Sequence, residues 1–169
     1  MKRNSELRNW LAIYTKPRHE KVVAIELEKK GVEIFLPLLK ERRKWSDRKK
    51  WVEFPLFKSY LFARNDNKGI HSFQNTPGFV KVLKFGGKTA IVQNSSINAI
   101  KLMLKGGYDP KNTDFFIKGD PVVVELGPLK GLVGEIKHVN NHDRLIVRID
   151  AIQHSISVSI DRKFLKRKK

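Results

Sequence analysis

The sequence contains no cysteine, so disulfide bonds and thiolate metal ligands are excluded. It also lacks any apolar run near 18 residues, which a membrane-spanning helix would need. The first residues, MKRNSELRN, lack the apolar core of a signal peptide. We therefore expect a soluble protein in the cytoplasm. Hydrophobic residues make up 40% of the 169, enough for one medium or two small globular domains.

The motifs of common active sites are missing as well. No GxSxG, HExxH, P-loop or GxGxxG pattern occurs, and no carboxylates converge as a nuclease would need to hold its metal ions. His138 and His142 bracket a predicted turn, where this spacing does not bring two side chains together, and no third ligand follows. We therefore expect no enzymatic activity, no metal and no cofactor.

The net charge of +18 is distributed unevenly along the chain. Residues 1–113 carry 24 Lys and Arg against 10 Asp and Glu, whereas residues 114–161 carry 5 against 7. The last eight residues, RKFLKRKK, add six positive charges. The basic part suits a polyanion, because neutralising phosphates releases counterions. The alternative is a generally basic surface without a ligand. An anionic membrane is disfavoured, because no amphipathic helix segregates Lys and Arg from a broad apolar face.

Hydrophobic periodicity predicts an ordered series of elements in the first 105 residues. They are a strand at 10–15, a helix at 19–30 closed by Gly31, a strand at 34–39 continuing towards 45, a hairpin turn at 46–49, a strand at 56–63, a short helix at 70–74, a strand at 79–85 and a helix capped by Ser95 or Ser96. This order indicates an α+β sandwich, in which helices pack against a mostly antiparallel sheet.

The remaining residues have a different character. The segment GGYDPKNTD at 106–114 is rich in Gly, Pro, Asn and Asp and is predicted to be a linker. Short strands are predicted beyond it at 122–126, 132–139, 144–149 and 155–160. Strict alternation in SISVSI places Ile156, Val158 and Ile160 inward and the serines outward. We predict domains at 1–105 and 115–165, the second a small SH3-like β-barrel, with a basic tail at 166–169.

Two basic clusters in the first domain are candidate nucleic-acid sites. One lies at the junction of the first strand and helix, where helix amides add to the attraction for phosphate, and contains Lys16, Arg18, His19 and Lys21. The other interleaves cations with Trp45 and Trp51, a pattern that suits phosphate contacts and base stacking. The alternative is a solvated hairpin whose tryptophans pack on its own sheet. The hairpin cations are Lys40, Arg42, Arg43, Lys44, Arg48, Lys49 and Lys50.

A group of aromatic residues forms the next candidate site. Strand alternation places Tyr60 and Phe62 on one face and Leu61 on the other. Most of these aromatics are expected in the core, but a surplus on an uncovered face would mark a partner site. The group consists of Tyr14, Phe54, Phe57, Tyr60 and Phe62.

The segment KGDPVVVELGPLKGLVGEI at 118–136 predicts a strand, a glycine-containing turn and a second strand. Glycines at these positions permit a tight turn and close strand approach. The pattern fits the KOW motif of small barrels that act on RNA, ribosomes and transcription complexes. The alternative is a generic small barrel with no specific ligand. The turn residues are Gly127, Lys130, Gly131 and Gly134.

Three segments together resemble the NusG family of transcription elongation factors. They are WLAIYTKPRHEKVVAIELEKKGVEIFLPL at 10–38, NTPGFVKVLKFGG at 75–87 and GDPVVVELGPLKGLVGEI at 119–136. The segment WSDRKKWVEFPLF at 45–57 resembles specialised paralogues, including capsule-operon antiterminators, more closely than it resembles the housekeeping factor. The family usually has Phe-Pro-Gly-Tyr where this chain has Phe57–Lys58–Ser59–Tyr60, a change that alters the backbone there.

The resemblance implies a monomer that binds the clamp helices of the large β′ subunit of RNA polymerase and suppresses pausing. The contact surface would consist of Tyr14, Phe57, Tyr60 and Phe62. Lys16, Arg18 and His19 would approach upstream or non-template DNA. The KOW domain would recruit termination factor Rho or a ribosomal protein.

Two other classes of function stay open at this point. A ribosome- or RNA-binding KOW protein acting in translation would bind RNA through its C-terminal domain, and the near-neutral body of that domain argues against this. A nucleic-acid-acting enzyme would show metal-dependent cleavage.

Overall fold

The computed structural model describes residues 9–44, 48–64, 70–106, 108, 110–113, 119–139 and 142–168. The chain divides into two compact units, Met1–Asn94 and Ser95–Lys169. Both contain antiparallel sheets, and two α-helices accompany them, so the predicted α+β class is confirmed. Within the described ranges, neither α-helix has the length and apolar character needed to cross a membrane.

The first unit is built around a five-stranded antiparallel sheet. Its elements are β1 (Trp10–Thr15), α1 (Glu20–Lys29), β2 (Glu33–Phe35), β3 (Leu38–Lys44), β4 (Lys49–Pro55), β5 (Tyr60–Arg64), β6 (Phe79–Val82), β7 (Lys84–Phe85), β8 (Lys88–Thr89) and β9 (Ile91–Val92), with a 3-10 turn at Ile70–Phe73. The sheet order is β2-β5-β1-β6, and β9 also pairs with β1. Strands β3 and β4 form a separate hairpin, and so do β7 and β8.

Strand β1 is central because its residues are apolar on both faces. Leu11 and Ile13 belong to the same buried core cluster as Val23 and Leu27 of α1. The alternating residues Trp10 and Ala12 are also buried, and alternation places them on the opposite face of the strand. The strand at the centre of the sheet therefore has buried apolar residues on both faces.

Helix α1 ends as predicted at Gly31. The φ of Gly31 is 81°, and its amide donates to the carbonyl of Glu28 while the amide of Val32 donates to that of Leu27. This pair of bonds is the Schellman arrangement, which satisfies the last helical carbonyls and favours glycine at the left-handed position. The termination directs the chain into β2.

The second unit contains a six-stranded antiparallel sheet. Helix α2 (Asn94–Lys105) begins at the boundary, and β10 (Lys111–Thr113), β11 (Asp120–Val124), β12 (Val133–Val139), β13 (His142–Ile149), β14 (His154–Ser159) and β15 (Leu165–Arg167) follow, with 3-10 turns at Asp150–Ile152 and Arg162–Phe164. The sheet order is β10-β14-β13-β12-β11-β15. Closure of this sheet into an SH3-like barrel stays a prediction, as do the domain boundaries.

Several predictions for the first unit need correction in detail. The strand expected from 34 onwards is interrupted at Pro37, because proline has no amide hydrogen to donate to a ladder. The strand expected at 56–63 begins only at Tyr60, because Ser59 has a φ of 64° and cannot continue extended backbone. The strand expected at 79–85 divides into β6 and β7. Strand β1, helix α1 and the β3–β4 hairpin are confirmed.

The second unit differs from expectation in three places. Residues 111–113 of the predicted linker form β10 and pair with β14, and residues 166–167 of the predicted tail belong to β15. Ile156 and Val158 are buried as expected and Ser159 is exposed as expected, but Ser155 and Ser157 are buried, so the prediction of outward serines is wrong for these two. The guanidinium of Arg144 explains the burial of Ser157, because its Nε donates to Ser157 Oγ at 3.0 Å.

Candidate functional site

One end of the first sheet carries two tyrosines in register. Tyr14 on β1 pairs with Tyr60 on β5 and with Lys81 on β6. The two phenol rings lie 5.3 Å apart at an interplanar angle of 56°. Both tyrosines are half-buried and Lys81 is exposed. We call these three residues the tyrosine row. Burial, and then the neighbouring Tyr14, raise the pKa of Tyr60 above its usual value.

Two phenylalanines predicted for the same contact surface lie beneath it. Phe57 and Phe62 have 0% exposure, and their rings meet edge to face at 6.0 Å. Phe62 also stacks on Phe35 at 6.1 Å. Tyr14 and Tyr60 are therefore the accessible members of the predicted group, and the phenylalanines support the backbone that carries Tyr60. Partner binding by these four residues stays a prediction.

A buried carboxylate holds the turn that precedes Tyr60. Glu20, only 5% exposed, accepts a hydrogen bond of 2.7 Å at Oε1 from the amide of Ser59. The carbonyl of Ser59 in turn accepts from the amide of Thr15 at 2.9 Å. Glu20 thus joins the first turn of α1 to a left-handed residue 39 positions later. Sequence reasoning missed this residue, because an acid in a first helical turn is an ordinary feature.

The predicted basic junction forms one exposed loop that continues from the tyrosine row. Lys16, Arg18 and His19 are all exposed, and the chain reaches them two residues after Tyr14. The amide of Lys16 donates to the carbonyl of Gly78 at 2.8 Å. Gly78 has a φ of 86°, and a Cβ added there would lie 2.6 Å from Cβ of His19. The close approach of these two segments fixes the loop.

The β3–β4 hairpin displays its cations around an exposed tryptophan. Arg42 lies opposite Trp51 in the register, and Lys44 lies opposite Lys49. Strand alternation places these four residues and Lys40 on one face. Trp51 is 65% exposed, so packing of this tryptophan on its own sheet is excluded. Arg48 and Lys50 are exposed too. Trp45 and the side chain of Arg43 lie outside the described residues.

Glu53 organises the base of this hairpin. Its Oε1 lies 3.3 Å from Nζ of Lys40, and its backbone carbonyl accepts a hydrogen bond of 3.1 Å from Nζ of Lys21. These side chains border a groove of ≈ 790 Å³. It is lined by Lys21, Lys40, Lys50, Trp51, Val52 and Glu53. Sequence reasoning did not connect Lys21 with the hairpin, because this contact joins a helix to a strand that comes much later in the chain. We call this cavity the Trp51 groove.

The predicted glycine turn of the second unit has the expected backbone. Gly127 and Gly131 have φ values of 82° and 88°. The amide of Lys130 donates to the carbonyl of Gly127 at 3.1 Å, and Lys130 itself is exposed. A Cβ on Gly134 would lie 2.5 Å from the carbonyl oxygen of Ile146, so this glycine permits close strand approach. The recruitment of a partner by this turn stays a prediction.

The polar side chains of the second unit form ion pairs. Asp143 accepts hydrogen bonds from His138 Nδ1 at 3.1 Å and from Arg162 Nε at 3.0 Å. The bond from His138, followed by that from Arg162, lowers the pKa of Asp143. Among the residues that the structure describes, no three His, Asp or Glu side chains converge as metal ligands would.

The chain is similar to proteins of one known family. A family model described as "Transcription termination factor nusG" matches residues 8–101. The solved structure "Domain interaction in Thermotoga maritima NusG" has a TM-score of 0.53 and 21% identity, covering 96% of this chain and 98% of that one. This likeness shows a shared fold.

Two further solved structures match less well. They are described as "Crystal Structure of MjSpt4:Spt5 complex", conformations B and A, with TM-scores of 0.33 and 0.31 and identities of 17% and 16%. Each match covers 95% of this chain, and 99% and 98% of the other chains, respectively. Because the family model spans more than half of the residues, this protein belongs to the NusG family of transcription elongation factors, which are binding proteins rather than enzymes.

Proposed function

We propose that the protein is a non-enzymatic antitermination factor that binds RNA polymerase and suppresses pausing or termination in the cytoplasm. The observation that carries the proposal is the tyrosine row of a NusG-family chain, in which Tyr14, Tyr60 and Lys81 lie in register at the accessible end of the sheet. The proposed partner is the pair of clamp helices of the large β′ subunit, which the resemblance implies.

The geometry supports this role through rigidity. Tyrosine is enriched among the residues that dominate interface energies, because it supplies a large contact area for little loss of side-chain entropy. The backbone under Tyr60 is held by Glu20 and by the sheet, so little reorganisation accompanies binding. A factor shifts the polymerase towards its elongating state only by binding that state more tightly. No chemical step is needed.

Nucleic acid and a second protein complete the proposed assembly. The loop of Lys16, Arg18 and His19 adjoins the tyrosine row, so a polymerase docked there would bring upstream or non-template DNA to it. The second unit would recruit Rho or a ribosomal protein, which agrees with the near-neutral charge of residues 114–161. Exposed Lys58 in the turn before Tyr60 supports a specialised paralogue, whose surface differs from that of the housekeeping factor.

Binding of the full chain to core RNA polymerase tests the proposal. Tyr60→Ala and Tyr14→Ala should each weaken binding about 30-fold, because an interface hot spot contributes about 2 kcal/mol. Phe85→Ala is the matched control, since Phe85 is an aromatic residue with 48% exposure on another hairpin of the same unit, and it should change affinity less than twofold. Folded tyrosine variants that bind like the wild type would refute the surface. Co-sedimentation with ribosomal subunits but not polymerase would favour the translation alternative.

A further inference from the structure

We propose that the Trp51 groove binds single-stranded nucleic acid directly, with one unpaired base stacked on the Trp51 indole and the phosphates on the hairpin cations. The site lies on the β3–β4 hairpin, away from the tyrosine row in sequence and in a separate sheet. The proposal therefore goes beyond the polymerase contact, and it requires no polymerase for its test.

The exposure of Trp51 is the first argument. An indole is among the largest apolar groups in proteins, and Trp10, in the same unit, is only 2% exposed. Trp51 is 65% exposed although it lies within a regular strand, between Lys50 and Val52, which both pair with residues of β3. An exposed, backbone-fixed aromatic ring surrounded by cations is the platform on which unpaired bases stack in single-strand-binding proteins.

The register of the hairpin supplies the second argument. Arg42 lies directly across from Trp51, while Lys40 and Lys44 lie two residues to either side of Arg42 on the same face. Alternate residues of a strand are about 6.7 Å apart. A row of cations at this spacing can contact successive phosphates of an extended strand while the adjacent tryptophan holds a base.

Lys21 and Glu53 give the groove its polarity. Lys21 reaches across from α1 to the carbonyl of Glu53, and the carboxylate of Glu53 lies 3.3 Å from Nζ of Lys40. Glu53 therefore offsets part of the positive charge of Lys21 and Lys40, whereas Lys44 and Lys49, farther along the same face of the hairpin, are exposed cations. The phosphates are expected to lie along Arg42, Lys44 and Lys49, which are farther along the strands from the Glu53 carboxylate.

A single strand fits these observations better than a duplex or an acidic protein does. A two-stranded ribbon can enter the major groove of DNA, but the faces of paired bases are covered there and Trp51 would have no ring to stack on. An acidic peptide would pair with the cations but would leave the indole exposed. RNA and single-stranded DNA offer the same base and phosphate chemistry, so both are tested.

The test measures binding of the full-length protein to fluorescein-labelled oligonucleotides by anisotropy. The probes are twelve-nucleotide oligo-dT and oligo-rU and a duplex DNA of the same length. Tight binding of one or both single strands is expected, with weaker binding of the duplex. The single strand that binds more tightly shows whether single-stranded DNA or RNA is the preferred ligand. Trp51→Ala should weaken single-strand binding at least fivefold and Trp51→Phe should recover most of that loss. Phe85→Ala, the control, should leave it unchanged.

The cations and Glu53 provide a second readout. Arg42→Ala should lower the slope of log affinity against log salt by about 0.7, the value for one phosphate contact of a single strand. Glu53→Gln should tighten binding two- to fivefold, because it removes the carboxylate found among the described residues that line the groove. Unchanged binding by folded Trp51→Ala, equal binding of duplex, or equal competition by polyglutamate would overturn the proposal. Tyr60→Ala should keep oligonucleotide binding, so failure here and failure of the polymerase contact are distinguishable.

Discussion

Glu20 is the residue whose removal tests the structure of the first unit most directly. Its carboxylate accepts the Ser59 amide at 2.7 Å in a site where both groups are almost completely buried. Glu20→Ala leaves that amide without an acceptor. A hydrogen bond to a charged group contributes about 1.5–3 kcal/mol, and a carboxylate in the first turn of a helix adds about 0.3–1 kcal/mol. We expect Glu20→Ala to lower the free energy of unfolding by about 2–3 kcal/mol.

Urea unfolding followed by tryptophan fluorescence measures this loss. All three tryptophans lie within Met1–Asn94, so the signal reports the first unit of the full chain. With a denaturant dependence of about 1.5 kcal/mol/M, the midpoint should fall by roughly 1.3–2 M. Glu20→Gln keeps an acceptor oxygen but loses the charge, so it should lose about half as much.

Glu28→Ala is the matched control on the same helix. Glu28 is exposed, and its substitution should change stability by less than about 0.5 kcal/mol. If the transitions of Glu20→Ala and Glu28→Ala coincide, the bond to Ser59 contributes nothing and the reasoning about the turn before Tyr60 is wrong.

Two further predictions concern the basic loop and the second unit. Gly78→Ala should lose roughly 2 kcal/mol or more in the same urea assay, because it combines a positive φ with a collision against His19. Gly86→Ala, with a positive φ but no atom within 4 Å, should lose only about 1 kcal/mol, and equal losses would contradict the collision. Because the pKa of Asp143 is lowered in the fold, its ionised carboxylate stabilises the folded state at pH values above the unfolded pKa. This stabilisation is lost as the pH falls through the folded pKa. Asp143→Asn should therefore speed hydrogen exchange of β12 and β13 amides at pH 6, and the difference from the wild type should disappear once the pH falls below the lowered folded pKa; a pH-independent difference would argue against this coupling.

Local patterns were sufficient to predict the elements that form from neighbouring residues. The apolar run Trp10–Thr15 became β1 with the expected bounds, and Gly31 ended α1 through bonds to residues within one turn. The hairpin of β3 and β4 also followed from adjacent sequence. For Gly31 and for the β3–β4 hairpin the hydrogen-bond partners are close in the chain, whereas β1 was recognised from its unbroken apolar run although its partners are distant.

Features that depend on distant partners could not be predicted. The left-handed Ser59 and the buried Glu20 explain each other only when α1 and the turn before β5 are side by side. Lys81 joins the tyrosine row through the register of β6, and no spacing in the sequence specifies that register. The same limit applies to exposure, since Tyr60 and Phe62 share a strand face and only Phe62 is fully buried.

The central position of β1 has a consequence for biosynthesis. Strand β1 pairs with β5, β6 and β9. The last of these pairings joins Trp10 to Val92. At about 5–20 residues per second, a ribosome needs roughly 4–16 s to make the chain between them. During that time the apolar strand Trp10–Thr15 is synthesised but its ladder is incomplete. The nascent chain therefore presents an incompletely paired apolar strand for seconds. A chaperone would be needed most during this interval, before the sheet is complete.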